Sequence, residues 1–579
     1  MKAWILGTLS VVSTLIVSGR EVVFNEDFNK QPENWTASAH FKWDAAGGKD
    51  QKGAFTAIRS NGKELLQAAK RVKLEHGVRY LVKVDFNSKL LPFDGKKYQV
   101  PLAINFLKNG KVVATQDITR SDPGDGEKWR FSSFNFVIPA HYDAEVDVVL
   151  RMYSTRTGQI WYDNLTIEAL ERFGAQLLSK PFLTHFDPGK VTVNFLADTA
   201  TPAAVDYRLK GEKKWERQNE LLGGQQRNDR KEHVVALKNL QPGKVYEYRA
   251  VLIPVPHLDS EIYSDVYEFT AVPDKFVPFS IFYTSDTQVG VKNRSVLLRD
   301  FAAKCKAGAA DIFIHGGDIA NGFSVSSPEI LIDSYVNVLA SLQKKSQYFV
   351  SVRGNHEYRG NASGDFFKYL SGNTEKSYFT FNYAGVCFIV LDTGETEPRM
   401  PRSPDYCRNF TAQMMKEQRE FLQNVVKSKK FLDAKYRVVL AHAPYYAGKY
   451  YAHMADNIRT IAKGILFGTD NPAKIHLYLA GHTHSYARSV ALNSLEQMKF
   501  ANGTWNDFAE KLPFAVCVND GPGKANGGPE FSGVRLEFAD SGITVTGVDP
   551  AGKEFDKFMI LPDGSIKEIS TTLIKKSGN

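Results

Sequence analysis

Cysteine is scarce in this chain: four in 579 residues, at Cys305, Cys387, Cys407 and Cys517, with no CxxC spacing. No disulfide framework can be built from so few. Cys387 and Cys517 fall inside apolar strand-like runs, where a buried free thiol is expected. Only Cys305 and Cys407 remain as disulfide candidates. Charge of one sign is not in large excess either, since 73 Lys and Arg against 64 Asp and Glu leave a formal +9. The basic residues are spread out, which argues against a nucleic-acid groove and fits either an anionic substrate or a solubilising surface. Beyond the N-terminus no stretch is apolar enough to cross a bilayer. Composition is that of an ordinary globular protein, 43% hydrophobic and 24% charged, and excludes the disordered classes. The length is too great for one core and implies roughly three to four units.

The N-terminus, MKAWILGTLSVVSTLIVSG, has one Lys, an apolar core from Ala3 to Val17, and small residues Ser18 and Gly19. It reads as a secretory signal peptide over residues 1–19, which places the mature protein outside the cell or in a periplasm, with no membrane span after cleavage. An uncleaved anchor is the alternative, for which the run is short. Six Asn-x-Ser/Thr sequons, Asn34 and Asn409 among them, matter only in a glycosylating host.

Residues 20–172 carry short alternating runs, VRYLVKVDF, VPLAINFL, FSSFNFVI and EVDVVLRMY, split by turn residues. Period-two alternation of this kind predicts a β-sandwich. The phrase GQIWYDNLTI at 158–167 resembles the last strand of jelly-roll carbohydrate-binding modules, which makes a polysaccharide a candidate partner. Trp129 and Trp161 would then stack on sugar rings or fill the sandwich core, and the core is the favoured place for each. Residues 173–273 show about seven further short strands and predict a second, fibronectin type III-like sandwich. Its phrase HVVALKNLQPGKVYEYR resembles the domain that precedes the catalytic core of purple acid phosphatases.

From 274 to 565 the texture changes to αβ alternation. The runs FSIFYTSD, DIFIHGGD, YFVSVRGNHE, YRVVLAHAP and IHLYLAGHTH alternate with helix-like stretches at 295–307, 328–345 and 411–427. Strands this apolar are buried on both faces, so a helix-covered central sheet is expected. Each run ends in a polar cluster, and ligand sites of such folds gather beyond strand ends. Together the ends supply Asp286, Gln288, Asp318, Asn355, His442, His482 and His484. Carboxylate, amide and imidazole donors without a thiolate suit Fe, Zn or Mn. The Lys-rich stretch 566–579 is expected to be a frayed tail.

The order SDTQ, GGDIAN, RGNHE, AHAP, GHTH resembles the calcineurin-like metallophosphoesterases. The resemblance implies an α/β core of four layers, αββα, and two divalent or mixed-valence metal ions bridged by Asp318. One ion would take Asp286, Gln288 and His484, the other Asn355, His442 and His482. The pair would acidify a water for in-line attack on a phosphate ester, with His356 at the leaving oxygen and Glu357 orienting His356 or a ligand. RGNHEYRG, AHAPYYAG and GHTHSYARS resemble purple acid phosphatases in particular. Two departures stand out: Asn321 occupies the place of their colour-giving Tyr, and Gln288 offers an amide oxygen that they lack. A colourless site holding divalent ions is therefore expected. His453 lies near the place of their substrate-facing histidines and is read equally as a substrate contact or a surface residue. Arg353 and Asn321 are the candidates for substrate binding; Tyr358 and Arg359 could also grip an anionic ester or form a solvated turn. His315 and His476, in or beside apolar strands, read as core histidines. The reading is an exported phosphomonoesterase, with a phosphodiesterase using the same metals, or a non-catalytic carbohydrate-binding protein, as alternatives.

Overall fold

Alternation in the first 170 residues becomes two antiparallel sheets facing one another. The computed structural model describes residues 21–575 except 61–63, 93–99, 118–125, 140, 153–155, 173–174, 255–260, 289–293, 320–346, 360–362, 370–375, 396–410, 446–451, 467–472, 495, 500–510 and 520–531. The signal-peptide reading, Asn321, Cys407, the Asn409 sequon and the helix expected at 328–345 thus lie outside the described residues. These residues form two compact units, the first up to residue 172 together with Pro254 and Glu261, the second from Ala175 onward without them.

In the first unit one sheet runs in the order Phe41–Asp44, Ala54–Arg59, Arg156–Arg172, Val78–Pro92, Arg130–Val137, with Glu21–Glu26 also on Arg156–Arg172. The other runs Thr36–Ala37, Leu66–Lys73, Glu145–Met152, Leu102–Lys108, Lys111–Gln116. Val82, Val84 and Phe86 of one sheet and Ile104, Val148 and Leu150 of the other close a common core. The tryptophans are not in it. Ile160 and Tyr162 point inward and are fully buried, so period two turns Trp161 to the outer face, where its Nε1 donates to Asp44 Oδ2 at 3.3 Å. Trp129, just before Arg130–Val137, is half-buried.

The second unit has no break near residue 273. The strands Phe182–Asp187, Lys190–Leu196 and Glu232–Lys238, which face the five-stranded sheet built on Ala203–Leu209 and Val245–Leu252, continue directly into the αβ region. Phe182–Asp187 runs parallel to Tyr348–Ser351, which adds Ile312–His315, Phe279–Thr284, Gly533–Ala539, Gly542–Val548, Glu554–Ile560 and Ile566–Thr571, ten strands in all. An eight-stranded sheet runs Phe379–Tyr383, Val386–Leu391, Tyr436–Ala441, Leu477–Ala480, Ala515–Val518, Ala487–Ser489, Gln497–Lys499, Ile574–Lys575. One apolar cluster joins Val193 and Val205 to Ile281, Ile314, Phe388, Leu440 and Leu479, which is why the second sandwich and the αβ region behave as one body.

Strand residues of opposite parity serve opposite faces. Phe388 and Val390 belong to the core between the sheets, while Cys387, Ile389 and Leu391 pack with Leu422 of the helix Thr411–Val425 and Ile458 of the helix Ala452–Ala462. Phe282, Phe313 and Phe349 likewise meet Leu298 and Phe301 of the helix Arg294–Lys304. Cys387 and Cys517 are buried free thiols as expected; Cys305 is also free and buried. The expected frayed tail is instead ordered to Lys575: Ile566–Thr571 pairs with Glu554–Ile560, and Leu573 is buried.

The tail strand is tied to the GHTHSYARS phrase. Arg488 is fully buried and forks onto Asp556, Nε to Oδ2 at 2.8 Å and Nη2 to Oδ1 at 3.1 Å, with Nη2 also 3.0 Å from Glu568 Oε2 and the guanidinium 4.6 Å from the centre of the Phe558 ring. Removing one partner of such a pair strands the other charge. Arg488→Met is expected to cost the larger unit about 3–5 kcal/mol in urea unfolding, and Arg488→Met/Asp556→Leu to recover most of it.

Candidate metal centre

Five of the expected ligands have a backbone that L-residues avoid. Asp286 (φ 54°), Gln288 (44°), Asp318 (55°), His482 (70°) and His484 (50°) are all left-handed. Each such residue costs of order 1–3 kcal/mol and persists only where its surroundings over-determine it. Here the loops after the strands lock each other: Asp286 N donates to Gly317 O at 2.9 Å, Gln288 N to Asp318 O at 2.9 Å, and Gly481 N to His442 O at 2.8 Å. Glycines make the close approach possible. A Cβ at Gly481 would run into Asp286 Oδ2, one at Gly354 into Asp318, and one at Gly317 into the His442 ring.

The structure brings all seven expected ligand residues together. Asp318, His442 and His482 form one group of potential ligand atoms within 4.8 Å, and Asp286, Asp318 and His484 a second, so Asp318 is common to both. His442 Nε2 is 3.1 Å from Asn355 Oδ1 and 3.3 Å from Asp318 Oδ1, and its Nδ1 meets Gly316 O at 2.9 Å. The carbonyl takes the Nδ1 proton and leaves Nε2 to the cluster. His484 Nε2 is 3.4 Å from Asp286 Oδ1 and 3.3 Å from Gln288 Nε2; turning the amide over would put its oxygen there. Asp286 Oδ1 is buried and faces the ring nitrogens of His484 and His442 at 3.4 and 3.9 Å without a hydrogen bond of good geometry, as a carboxylate oxygen that shares a cation with them would be. Hard oxygen and imidazole donors around such a carboxylate oxygen fit a divalent metal.

Glu357 is fully buried and accepts from Asp318 N (2.9 Å), Gly354 N (2.7 Å) and Ile319 N (2.8 Å). It therefore holds the backbone of the ligand Asp318, the second of its two expected roles. His356 N donates to Asp318 Oδ1 at 2.9 Å, and its Nε2 lies 3.6 Å from Asp318 Oδ2. Arg353 lies elsewhere: its guanidinium covers the Tyr358 ring at 3.6 Å, lies 5.1 Å from Phe367 and donates to Glu357 O. That aromatic slot makes it a wall of the Glu357 loop in place of the expected substrate contact. Arg359, three residues past His356, is the cation at the cluster. His453 falls in the first turn of the helix Ala452–Ala462, and its side chain is not among those described. His315 and His476 are core histidines, both pushed down by burial, to about 3 and about 4. His315 Nε2 meets Thr287 Oγ1 at 2.9 Å.

Charges in the cluster compensate one another. Burial would lower His442, but the Asp318 and Asp286 carboxylates outweigh it and push it up to about 10. His482 goes the other way, to about 3, because burial and the neighbouring His442 charge both oppose its protonation. Burial would raise Asp286 and Asp318, and the histidines hold both below the usual carboxylate range. A raised histidine stabilises the metal-free fold fully below its unfolded value of about 6.5 and loses that contribution as pH climbs through about 10. A metal must displace the same proton. From pH 7 to 10, metal-free protein is therefore expected to lose thermal stability while metal affinity rises, with proton release visible as buffer-dependent heats in calorimetry. Gly481→Ala and Asp318→Ala should both abolish retained metal in elemental analysis after dialysis.

Residues 279–486 match the calcineurin-like phosphoesterase family. No curated protein matches the chain. Among solved structures, purple acid phosphatase PPD1 from yellow lupin (Lupinus luteus) is similar at 14% identity over 86% of this chain and 93% of its own, TM-score 0.46. PhoD is similar at 14% identity over 69% and 94%, TM-score 0.43. A Clostridium thermocellum xylanase 10B structure with CBM22-1 and GH10 modules, complexed with xylohexaose, is similar at 15% identity over 26% and 28%, TM-score 0.22. All seven clustered residues, from Asp286 to His484, lie inside the matched span, and residues 279–486 are a calcineurin-like phosphoesterase domain.

Proposed function

We propose that the chain is a metal-dependent phosphoester hydrolase that acts on phosphomonoesters. The observation that carries this is Asp318, one buried carboxylate common to two groups of ligand atoms. Asp286, Gln288 and His484 would hold one ion with Asp318, and Asn355, His442 and His482 a second. The absence of thiolate and the neutral Gln288 amide favour divalent Fe, Zn or Mn. When bound, such a pair supplies an acidified water and charge neutralisation at the phosphoryl group. The chain's own part is positional. Glu357 fixes the Asp318 backbone, the Gly316 carbonyl fixes the His442 tautomer, and His356 presents ring nitrogen beside Asp318 where the leaving oxygen would depart. The helix-backed faces of both sheets support reading the core as αββα, and the apolar leader supports export.

Metal-reconstituted protein is expected to hydrolyse an aryl phosphomonoester, with Asp318→Ala reducing kcat/KM by about a thousandfold or more. Failure on mono- and diester alike, with metal bound, would sink the reading; preference for the diester would replace it by the phosphodiesterase.

A second activity is favoured in the first unit. On the outer sheet face Trp161 stands between its cross-strand neighbours Thr56 and Asn87, and Asn87 Oδ1 is buried with no hydrogen bond. An indole beside polar groups with spare bonding capacity suits a sugar ring. The full chain is expected to sediment with an insoluble polysaccharide, and Trp161→Ala to stay in solution. If no polysaccharide retains the wild type, the unit is a spacer.

A further inference from the structure

Two arginines flank the His356 turn, and the structure uses them differently. Arg353 is spent on aromatic rings and on the Glu357 carbonyl. Arg359 reaches the cluster: its Nη1 is 2.9 Å from His356 Nε2 and 3.3 Å from Nδ1, and that same Nε2 is 3.6 Å from Asp318 Oδ2. On its other side Nε donates to Glu395 Oε2 at 2.7 Å. Glu395 is itself buried and follows the strand Val386–Leu391, so the guanidinium is braced from the second sheet while His356 comes from the first.

A largely buried Arg–Glu pair is a poor stabilising device, because desolvation offsets its attraction and an apolar pair of the same volume would serve as well. It does give direction. With Nε tied to Glu395 the guanidinium is kept from swinging away, and its Nη1 stays at the His356 ring nitrogen that faces Asp318. A planar cation held in this way matches a phosphoryl oxygen, to which it gives charge-assisted bonds without reorganising.

We infer that Arg359, held by Glu395, binds the phosphoryl oxygen that points out of the cluster and so selects phosphomonoester dianions over diesters. The inference rests on the phosphoester reading. A monoester has three non-bridging oxygens and two negative charges; a diester has two such oxygens and one charge. With the inner oxygens turned toward the ligand groups around Asp318, a monoester still offers a charged oxygen to Arg359. A diester offers an esterified oxygen there, with no charge and a bulky substituent. Guanidinium only donates, so an arriving phosphoryl oxygen replaces the His356 nitrogen as its acceptor, and that nitrogen can then take up a proton from solvent and give it to the leaving oxygen.

The test uses full-length, metal-loaded protein and the variants Arg359→Ala, Arg359→Lys and Glu395→Gln, with metal content and thermal unfolding checked for each. Inorganic phosphate binding is measured by calorimetry, and kcat and KM with an aryl monoester and diester. Arg359→Ala is expected to weaken phosphate binding about ten- to a hundredfold and to lower monoester kcat/KM by at least as much, with the diester changed less than about threefold. Arg359→Lys should restore part of the phosphate affinity, and Glu395→Gln should fall between wild type and Arg359→Ala. If Arg359→Ala fails to fold, Arg359→Lys and Glu395→Gln decide: unchanged phosphate affinity and ester preference in both overturns the assignment. Equal loss on both esters overturns it too. Wild type that hydrolyses esters while Arg359→Ala binds phosphate normally leaves the phosphoesterase reading standing and the assignment fallen. Wild type that hydrolyses no ester, yet loses phosphate binding on Arg359→Ala, overturns the phosphoesterase reading and the ester selection with it, and leaves Arg359 as an anion-binding residue alone.

Discussion

Asp318 is the constraint on which the second unit turns. It is a buried charge in a left-handed backbone, two features that a fold does not tolerate without support. Three of its four polar groups are engaged, its N–H by Glu357, its C=O by Gln288 N and its Oδ1 by His356 N and His442 Nε2, while Oδ2 faces His356 Nε2 at 3.6 Å. Its carboxylate is shared by both ligand groups. In the metal-free cluster the Asp318 and Asp286 carboxylates raise both His442 and His484, whose protons balance their charge. Cation binding replaces proton charge by metal charge without rebuilding the loops, because the loops are already fixed to each other through backbone bonds.

That fixing depends on where the strands stop. Thr284, His315, Ser351, Ala441 and Ala480 end parallel strands of the two sheets, and the ligands follow within a few residues of each. The apolar cluster between the sheets sets the separation of the two rows of strand ends, and so the spacing of the ligands. The strands after Gly533 extend the ten-stranded sheet on the far side of Phe279–Thr284, and the Arg488–Asp556 pair ties the eight-stranded sheet to that extension. The C-terminal strands thereby help hold a site to which they contribute no ligand.

Most of this site was legible in the chain because ligand residues at strand ends leave a local signature: an apolar run, then Gly, Asp, Asn or His. The runs before Asp286, Asp318, Asn355, His442 and His482 all carry it. What lacked a local signature was misplaced. Arg353 and Arg359 are the same residue type on one short turn, and only the rings of Tyr358 and Phe367 and the carboxylate of Glu395, distant in sequence, send one into an aromatic slot and the other to the cluster. The Lys-rich end looked frayed because Ile566–Thr571 is an edge strand with mostly exposed side chains, held by backbone pairing more than by burial. The join between the second sandwich and the αβ region rests on the parallel contact of Leu183 with Tyr348, a pairing with no sequence pattern of its own. Trp161 was misplaced in spite of a local signature: the core was its favoured place, whereas the buried Ile160 and Tyr162 on either side turn the indole to the opposite face.

The two kinds of residue at the centre are built on different supports. The metal-facing groups follow sheet strands, five of the seven in left-handed backbone, and the neighbouring Gly317, Gly354 and Gly481 leave no room for a side chain. The groups that would meet substrate come from short turns and helix ends: His356 from a single turn of 3-10 helix, Arg359 from the residue after it, and His453, in backbone position, from the start of a helix. Of these, His356 is bonded to Asp318 through its N–H, whereas Arg359 is braced by Glu395 and meets the cluster through the His356 ring. If the phosphoesterase reading holds, metal chemistry and substrate choice are separable in this fold, since a change at Arg359 or Glu395 would alter ester preference while the ligand set stays as it is.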